Sequence, residues 1–525
     1  MLQVRNLTIT HKKDLRRILE NFHFVLNPGD KAVMIGEEGN GKSTLLKWIY
    51  SPELVESYVD AEGERICTGE RLGYLPQELP AEDKEKSVYE FFCAEPAFWE
   101  QEPKTLSLLA KNLQISPDFY YREQRMESLS GGEKVKVQMA RILIAQPTVL
   151  LLDEPSNDID IETLEWLERL ILESKQAVLY ISHDETLIER TANVVIHLEQ
   201  LRRKTVSRYT VSRMSYGEYM SQRSARFRNQ EQAALNEKRQ EKIRLEKFRR
   251  IQQQVEHAQN AISRQDPHGG RLLKKKMKAV KSMEKRYDRE AADMVQMPEE
   301  EEAIFLKFGQ DINIPSGKVI LDFTLPQLFS QRDGGDDAER RMLAENVALK
   351  IRGQEKICMI GRNGAGKTTL LKLIAEELLK RQDIRAAYMP QNYEELLDLN
   401  LNPVEYLAET GDKEEVTRIR TYLGSMKYTA DEMSHPIAEL SGGQKAKILL
   451  LKMSLSGADV LILDEPTRNF SPLSNPVIRE VLAEYHGVII SISHDRKYIR
   501  EVCDVIYRLS ESGLERVYLS AATRD

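Results

Sequence analysis

Apolar residues fall along this chain in two rhythms. Short unbroken runs, KAVMI at 31–35, VLLL at 149–152 and AVLYI at 177–181, predict strands buried on both faces, and KICMI, VLIL and VIISI repeat the set at 356–360, 460–463 and 488–492. The opening MLQVRNLTIT alternates instead, as a half-buried strand does. Between the two sets the period changes. Phe248, Ile251, Val255, Ala258 and Ile262 step by three and four, the seam of a coiled coil, and Leu273, Met277, Val280, Met283 and Tyr287 make a second stripe. DPHGG at 266–270 interrupts them with a proline and two glycines, so two antiparallel helices are expected, joined by a turn. The first, from about Tyr216 to Ile262, would run roughly 70 Å, and the return, from Arg271 to about Met294, roughly 36 Å. Part of the first helix must therefore pack elsewhere or break.

The strand sets belong to a longer repeat. GEEGNGKST at 36–44 recurs as GRNGAGKTT at 361–369, and YLPQ at 74–77 as YMPQ at 388–391. LSGGEK at 129–134 recurs as LSGGQK at 440–445, LLLDEPS at 150–156 as LILDEPT at 461–467, and ISHD at 181–184 as ISHD at 492–495. The last three pairs share an offset of 311 residues, which marks duplication of a whole domain. Boundaries are expected at 1–200 for the first domain, 201–316 for a linker whose tip spans about 259–272, and 317–525 for the second domain.

Charge sharpens the contrast. The chain carries a formal net charge of −7, yet Leu201 to Pro298 holds 25 Lys and Arg against 11 Asp and Glu, leaving a net −21 on the remainder. A basic segment in an acidic protein points to a polyanionic partner. The acidic run PEEEE at 298–302 reads as a solvated turn. No apolar run approaches the roughly 18 residues of a membrane span, and the N-terminus lacks the pattern of a signal peptide. Four cysteines without CxxC spacing argue against zinc or disulfide frameworks and fit a reducing cytoplasm.

The chemistry begins with GxxxxGK[ST]. Gly36, Gly39 and Gly41, and again Gly361, Gly364 and Gly366, let backbone N–H groups face phosphates at a helix N-terminus. Lys42 and Lys367 would reach the β- and γ-phosphates of ATP, Ser43 and Thr368 would ligate Mg²⁺, and Thr44 and Thr369 complete the loops. Glu37 and Glu38 add unusual negative charge to the first loop and are expected to face solvent. Asp153 and Asp464, at the ends of apolar strands, would hold Mg²⁺, and Glu154 and Glu465 are placed to polarise the attacking water. Gln77 and Gln391 are candidate ligands of water or Mg²⁺. His183 and His494, each following a buried strand, are candidates to hydrogen-bond the γ-phosphate.

With LSGG present in both halves, the chain resembles the ATP-binding cassette (ABC) superfamily. The resemblance implies an α/β fold: two P-loop nucleotide-binding domains joined by an antiparallel helical hairpin. It also implies composite sites, in which Ser441, Gly442 and Gly443 cap ATP held by loop 36–43. Ser130, Gly131 and Gly132 would likewise cap ATP held by loop 361–368. A monomer closing its two domains on two ATP molecules would then work as a clamp. Two cassettes in one chain with a charged linker look like ABC subfamily F, whose members bind the ribosomal E site and extend the linker toward the peptidyl transferase centre. The implied partners are the bacterial 70S ribosome, its 23S rRNA and the P-site tRNA, in the cytoplasm. Arg271, Lys274, Lys275, Lys276, Lys278 and Lys281 are the candidates for RNA phosphates.

Departures from the pattern refine the resemblance. The first half carries SNDID at 156–160, with Asp160, whereas the second reads TRNFSPLS at 467–474, with Ser471 at the equivalent position. That variant resembles the antibiotic-resistance members that protect against lincosamides, pleuromutilins and streptogramins A, and it puts equal hydrolysis at the two sites in question. His11 and Phe329 are the aromatic candidates for adenine stacking. Two other readings stay open: a housekeeping translation ATPase acting on stalled ribosomes, and the ATPase subunit of a membrane exporter.

Overall fold

The computed structural model describes residues 1–201, 206–261, 274–283, 286–287, 312, 314–330 and 341–517. They divide into two compact units, Met1–Tyr216 with Glu301–Asp525, and Gly217–Glu300. The larger unit holds both copies of the repeat, each on a six-stranded sheet. In the first, the strands run in the spatial order Leu72–Leu75, Val149–Asp153, Ala177–Ile181, Lys31–Ile35, Val194–Leu201, Val206–Ser212. The second copies that order with Ala386–Met389, Val460–Asp464, Val488–Ile492, Lys356–Ile360, Val505–Ser510 and Gly513–Val517. Every pairing is parallel except the last, a hairpin.

Parallel sheets need helices on both faces, so their strands are apolar throughout. All five residues of Val149–Asp153 and of Val460–Asp464 are buried, the aspartates included. The same rule brings the strands' carboxyl ends, where loops leave the sheet, to one rim. Both phosphate loops, both DE pairs and both SHD motifs lie on such rims. The alternating N-terminus pairs as expected: Leu2–His11 lies between Arg17–Leu26 and Val59–Ile66 in an antiparallel sheet. The boundary at residue 200 shifts, because Val206–Ser212 pairs with Val194–Leu201 and extends the first cassette beyond the break in composition.

The two cassettes touch through ion pairs at matched positions. Residues 168 and 185 correspond to 479 and 496 under the 311-residue offset. Arg479 grips Glu185 through two nitrogens, at 2.6 and 3.2 Å, and Arg496 grips Glu168 in the same way, at 3.0 and 2.9 Å. At both positions the first cassette supplies Glu and the second supplies Arg. Lys497 adds bonds to Glu185 and Glu189. Burial drives the carboxyl of Asp184 up to about 6 despite Arg496 beside it.

One unbroken helix of 46 residues, Tyr216–Ala261, runs from the last residue of the larger unit's first segment through the smaller unit, so of the two expectations, packing elsewhere or breaking, the break is absent over that length. Residues 274–283 and 286–287 are also helical. Phe248 and Tyr287 meet edge to face with centroids 5.9 Å apart, and Val255 and Val280, each seven residues nearer the connection, are both buried. The two stripes therefore pack antiparallel. Ile251, placed in the seam by its spacing, is instead exposed, since a single partner helix covers only one side of the stripe. Lys274, Lys275, Lys276, Lys278 and Lys281 are all exposed, while Arg271 and the DPHGG turn lie outside the described residues. Among the described residues no helix is long and apolar enough to cross a membrane, and the four cysteines are free thiols.

Candidate active site

Each phosphate loop runs from a buried strand into a helix, and the two loops share a backbone conformation. Gly39 and Gly364 both have φ of 78°, and Gly41 and Gly366 have φ of 84° and 94°, values that side chains resist. A Cβ on Gly41 would lie 2.1 Å from the Ile18 side chain, whereas one on Gly39 or Gly364 would enter open space. The loops thus open away from protein at Gly39 and Gly364. Lys42 and Lys367 lie buried beneath. Lys42 Nζ donates to the carbonyls of Gly36 and Glu37, at 2.7 and 3.0 Å, and Lys367 Nζ to those of Gly361 and Arg362, at 2.8 and 3.0 Å. Burial pulls the Lys367 ammonium below its usual range.

Carboxylates face the lysines. Ser43 Oγ donates to Asp153 Oδ1 at 2.8 Å, and Thr368, at the matching position, lies beside Asp464 and lowers its pKa against burial. Burial raises both aspartates to about 6. Glu465 is driven further, to about 8, by burial and then by the charge of Asp464. One oxygen of Glu154 and one of Asp464 are buried without any hydrogen-bond partner.

The histidines differ between the halves. His183 Nε2 lies 2.9 Å from Glu154 Oε1, and its Nδ1 lies 2.7 Å from the carbonyl oxygen of Phe470 in the other cassette. A ring between two acceptors favours the charged form. Burial opposes that charge, but Glu154 outweighs it and the pKa rises. His494 stands farther from its glutamate, at 3.7 Å, and burial together with Lys367 lowers it to about 4.

The signature motifs begin helices. Ser130 and Ser441 are N-caps of Gly131–Ile144 and Gly442–Leu455, each closing a capping box with the residue three positions on. A cleft of about 1300 Å³ is lined by Ser130, Gly131 and Gly132 of the first cassette together with Gly364, Gly366, Lys367, Thr368, Thr369, Gln391, Asp464, Glu465 and His494 of the second. The pairing of loop 361–368 with Leu129–Gly132 is thus present. Loop 36–43 meets the second signature directly: Gly443 N–H donates to Glu38 Oε2 at 2.7 Å.

Glu37 and Glu38 correct an expectation. They do not face solvent but reach the second cassette, where Glu37 accepts hydrogen bonds from Ser471 and Ser474, at 3.1 and 2.5 Å, and lies 3.6 Å from Lys447 Nζ. At the other site the cross-links centre on Asp158. Its carbonyl accepts from Asn363 at 2.6 Å, and its carboxylate from Arg468 at 2.8 Å and Gln391 at 3.4 Å. Asp158 escaped motif reading, although its positive φ of 58° in an SND turn marks a bent loop. Gln77 is exposed, His11 bonds Asp14, and Phe329 ends a strand next to Ser330 of the cleft.

The sequence profile described as ABC transporter matches residues 19–157 and 344–468. The chain belongs to the ABC transporter family. This ABC protein is 26% identical to YheS of Escherichia coli (strain K12), a probable ATP-binding protein, over 96% of its own length and 78% of that chain. It is 25% identical to ABC transporter F family member 2 of Arabidopsis thaliana, with 95% and 75% covered. Relatives bearing the F name support placing it in that branch. Its fold matches the archaeal ribosome recycling factor aABCE1, solved with the stalk protein aP1, at a TM-score of 0.58, 18% identity and coverage of 97% and 89%.

Like its family, this ABC protein binds ATP with Mg²⁺ and hydrolyses ATP. The residues present fit both. Buried ammonium groups bonded only to carbonyls, and glycine cradles open where a side chain would stand, suit a polyphosphate. A hydroxyl and a buried aspartate at each site, with one Asp464 oxygen unsatisfied at the second, suit Mg²⁺, which takes few protein ligands and completes its shell with phosphate and water.

Proposed function

We propose that this chain is an ABC-F ATPase that binds the ribosome and uses ATP to hold its cassettes closed while its basic hairpin meets RNA. The reading is carried by one observation: a helical pair whose described lysines all face outward, inserted between two ATPase cassettes that dock on each other. Like-charged lysines on one helix stabilise nothing locally, whereas a polyanion rewards them by releasing its counterions. The recycling factor of like fold is named for the ribosome, which supports the same partner here. The E site, 23S rRNA and P-site tRNA are its proposed contacts.

In the proposed chemistry Lys42 and Lys367 bind the β- and γ-phosphates, and the loop N–H groups orient them. Ser43, Thr368, Asp153 and Asp464 would hold Mg²⁺, which would supply positive charge against the phosphates. Glu465, beside the second phosphate loop, would take a proton from the attacking water and return it. The signature helices close each site with N-terminal N–H groups. Release of the product charge weakens closure, and the cassettes part.

The finer reading is protection of the ribosome from antibiotics. Ser471 in place of an aspartate favours it over a general role on stalled ribosomes. The test is co-sedimentation of the Glu154→Gln/Glu465→Gln chain with 70S ribosomes. Pelleting that requires ATP supports the clamp, and recovery on membranes instead would return the exporter reading. Deleting 263–272 should then abolish drug protection while ATP binding persists, and unchanged resistance would exclude the tip from the drug's site.

A further inference from the structure

Glu37 and Glu38 sit inside a phosphate loop, where a carboxylate opposes the loop's own ligand. Their partners explain what they do. Gly443 N–H, in the first turn of the second signature helix, is one of the donors that a helix N-terminus offers to an anion. Glu38 Oε2 takes it at 2.7 Å, and Cβ atoms on Gly442 or Gly443 would lie 3.6 or 3.3 Å from the Glu38 carboxylate. Asn469 of the second cassette lies closer still, at 3.5 and 2.7 Å, so the Glu38 carboxylate and Asn469 together cover the two glycines. Glu37 lies against Ser471, Ser474 and Lys447, all from the second cassette.

The equivalent loop positions carry Arg362 and Asn363. They bond to Glu162 and to the Asp158 carbonyl, and the atoms nearest a Cβ on Gly131 or Gly132 belong to Asp158 and Thr163, not to that loop. The cleft of about 1300 Å³ opens between that loop and that signature. The substitutions also match one another. Where the second cassette has Ser471 in place of an aspartate, the first loop has Glu37 to receive its hydroxyl. An aspartate there would put two carboxylates together. His183 is held at the same junction by Glu154 and the Phe470 carbonyl.

We infer that Glu38 is a built-in anion for the second signature helix, so that the site of loop 36–43 with Leu440–Gly443 is latched by protein. Nucleotide turnover then falls to the site of loop 361–368 with Leu129–Gly132. An ATP γ-phosphate at the first site must displace Glu38 from Gly443 N–H, against the charge of Glu37 next to it. Glu38 acts on the reaction through the signature helix and is a positioning residue. The inference rests on the ATPase reading and adds which site turns over.

The experiment measures steady-state ATPase of the full chain. Parent turnover tests the ATPase reading alone, and the variants test the latch. Glu465→Gln should remove about nine-tenths or more of turnover, because the first site contributes little. Adding Glu38→Asn, the residue at the matched position, should return turnover about fivefold or more above the single variant, since a charge-assisted hydrogen bond no longer has to be displaced. Adding Glu154→Gln to that pair should abolish the gain, a result that a general change in stability would not give. Half or more of parent activity in Glu465→Gln, or no gain on adding Glu38→Asn, would overturn the latch. Glu38→Gln keeps the length of the side chain and an oxygen acceptor, and it should give a smaller gain than Glu38→Asn. An equal gain would assign the effect to charge alone and overturn the role of the Gly443 bond.

Discussion

Arg479→Met removes a buried cation that spans the cassettes. Its side chain is 4% exposed and bonds Glu185 with two nitrogens and Glu501 with its Nε at 2.7 Å. Taking one partner from a buried ion pair costs about 3–5 kcal/mol, because the other charge is left in low dielectric. Two contacts reduce that figure here. Lys497 Nζ remains 3.1 Å from Glu185, and the Glu501 side chain is 41% exposed and can rehydrate. About 2–3 kcal/mol is then lost from the docked state, a factor of about 30–150 in its population. If two bound ATP molecules share that deficit, the ATP concentration for half-closure rises by its square root, about 5- to 12-fold. The assay is energy transfer between dyes on the two cassettes of the Glu154→Gln/Glu465→Gln chain, titrated with ATP. Glu185→Gln added to Arg479→Met should recover about half of the shift, since no uncompensated charge then stays buried. Arg479→Lys should fall between parent and Met, because an ammonium cannot reproduce the two-pronged grip. A midpoint within twofold of the parent for Arg479→Met would refute the assignment.

Other expectations are quickly stated. Gly364→Ala meets no neighbour and should cost only about 1–2 kcal/mol of stability from its positive φ, yet ATP affinity should fall about tenfold or more as the methyl enters the cradle; a thermal melt and a nucleotide titration separate the two effects. Replacing Lys274, Lys275, Lys276, Lys278 and Lys281 by Ala should weaken ribosome binding and reduce the slope of log K against log salt by about 3–4, measured by sedimentation across a salt series. Glu415 accepts from the N–H groups of Glu409, Thr410 and Gly411, and those bonds lower its pKa to about 2. A depressed folded pKa stabilises above the unfolded value near 4.5, and the contribution is lost as pH falls toward 2. Hydrogen-exchange protection at 409–412, corrected for intrinsic rates, should fall over that window in the parent and be flat in Glu415→Gln.

What could be read in advance follows from the range of the forces involved. The strands VLLLD and VLILD, the phosphate loops and the helix caps at Ser130 and Ser441 are set by neighbours within a few residues, so local pattern shows them. Stripes around Phe248 and Tyr287 were legible because a two-helix pair repeats its own spacing. The Glu37 and Glu38 contacts were not. A charged residue in a loop reads as solvated unless its partner, here more than 400 residues away, is known. The Val206–Ser212 strand was hidden because it follows the basic run RRK at 202–204 and lies on an edge that one neighbour completes. Asp158 had no motif partner, since its bonds run to the other cassette. The exchange of Glu168 and Glu185 for Arg479 and Arg496 was visible in principle: aligning the halves at 311 residues places acid over base twice.

That exchange decides whom each half can accept. Two first cassettes meeting in the same manner would set Glu168 against Glu185 twice, and two second cassettes would set Arg479 against Arg496 twice. Only unlike halves neutralise each other. During synthesis the first half is complete long before residue 479 is made, and its acidic face meets the same face on every other nascent copy. The duplicated chain thus carries its own guard against self-association, for as long as its second half is still unmade.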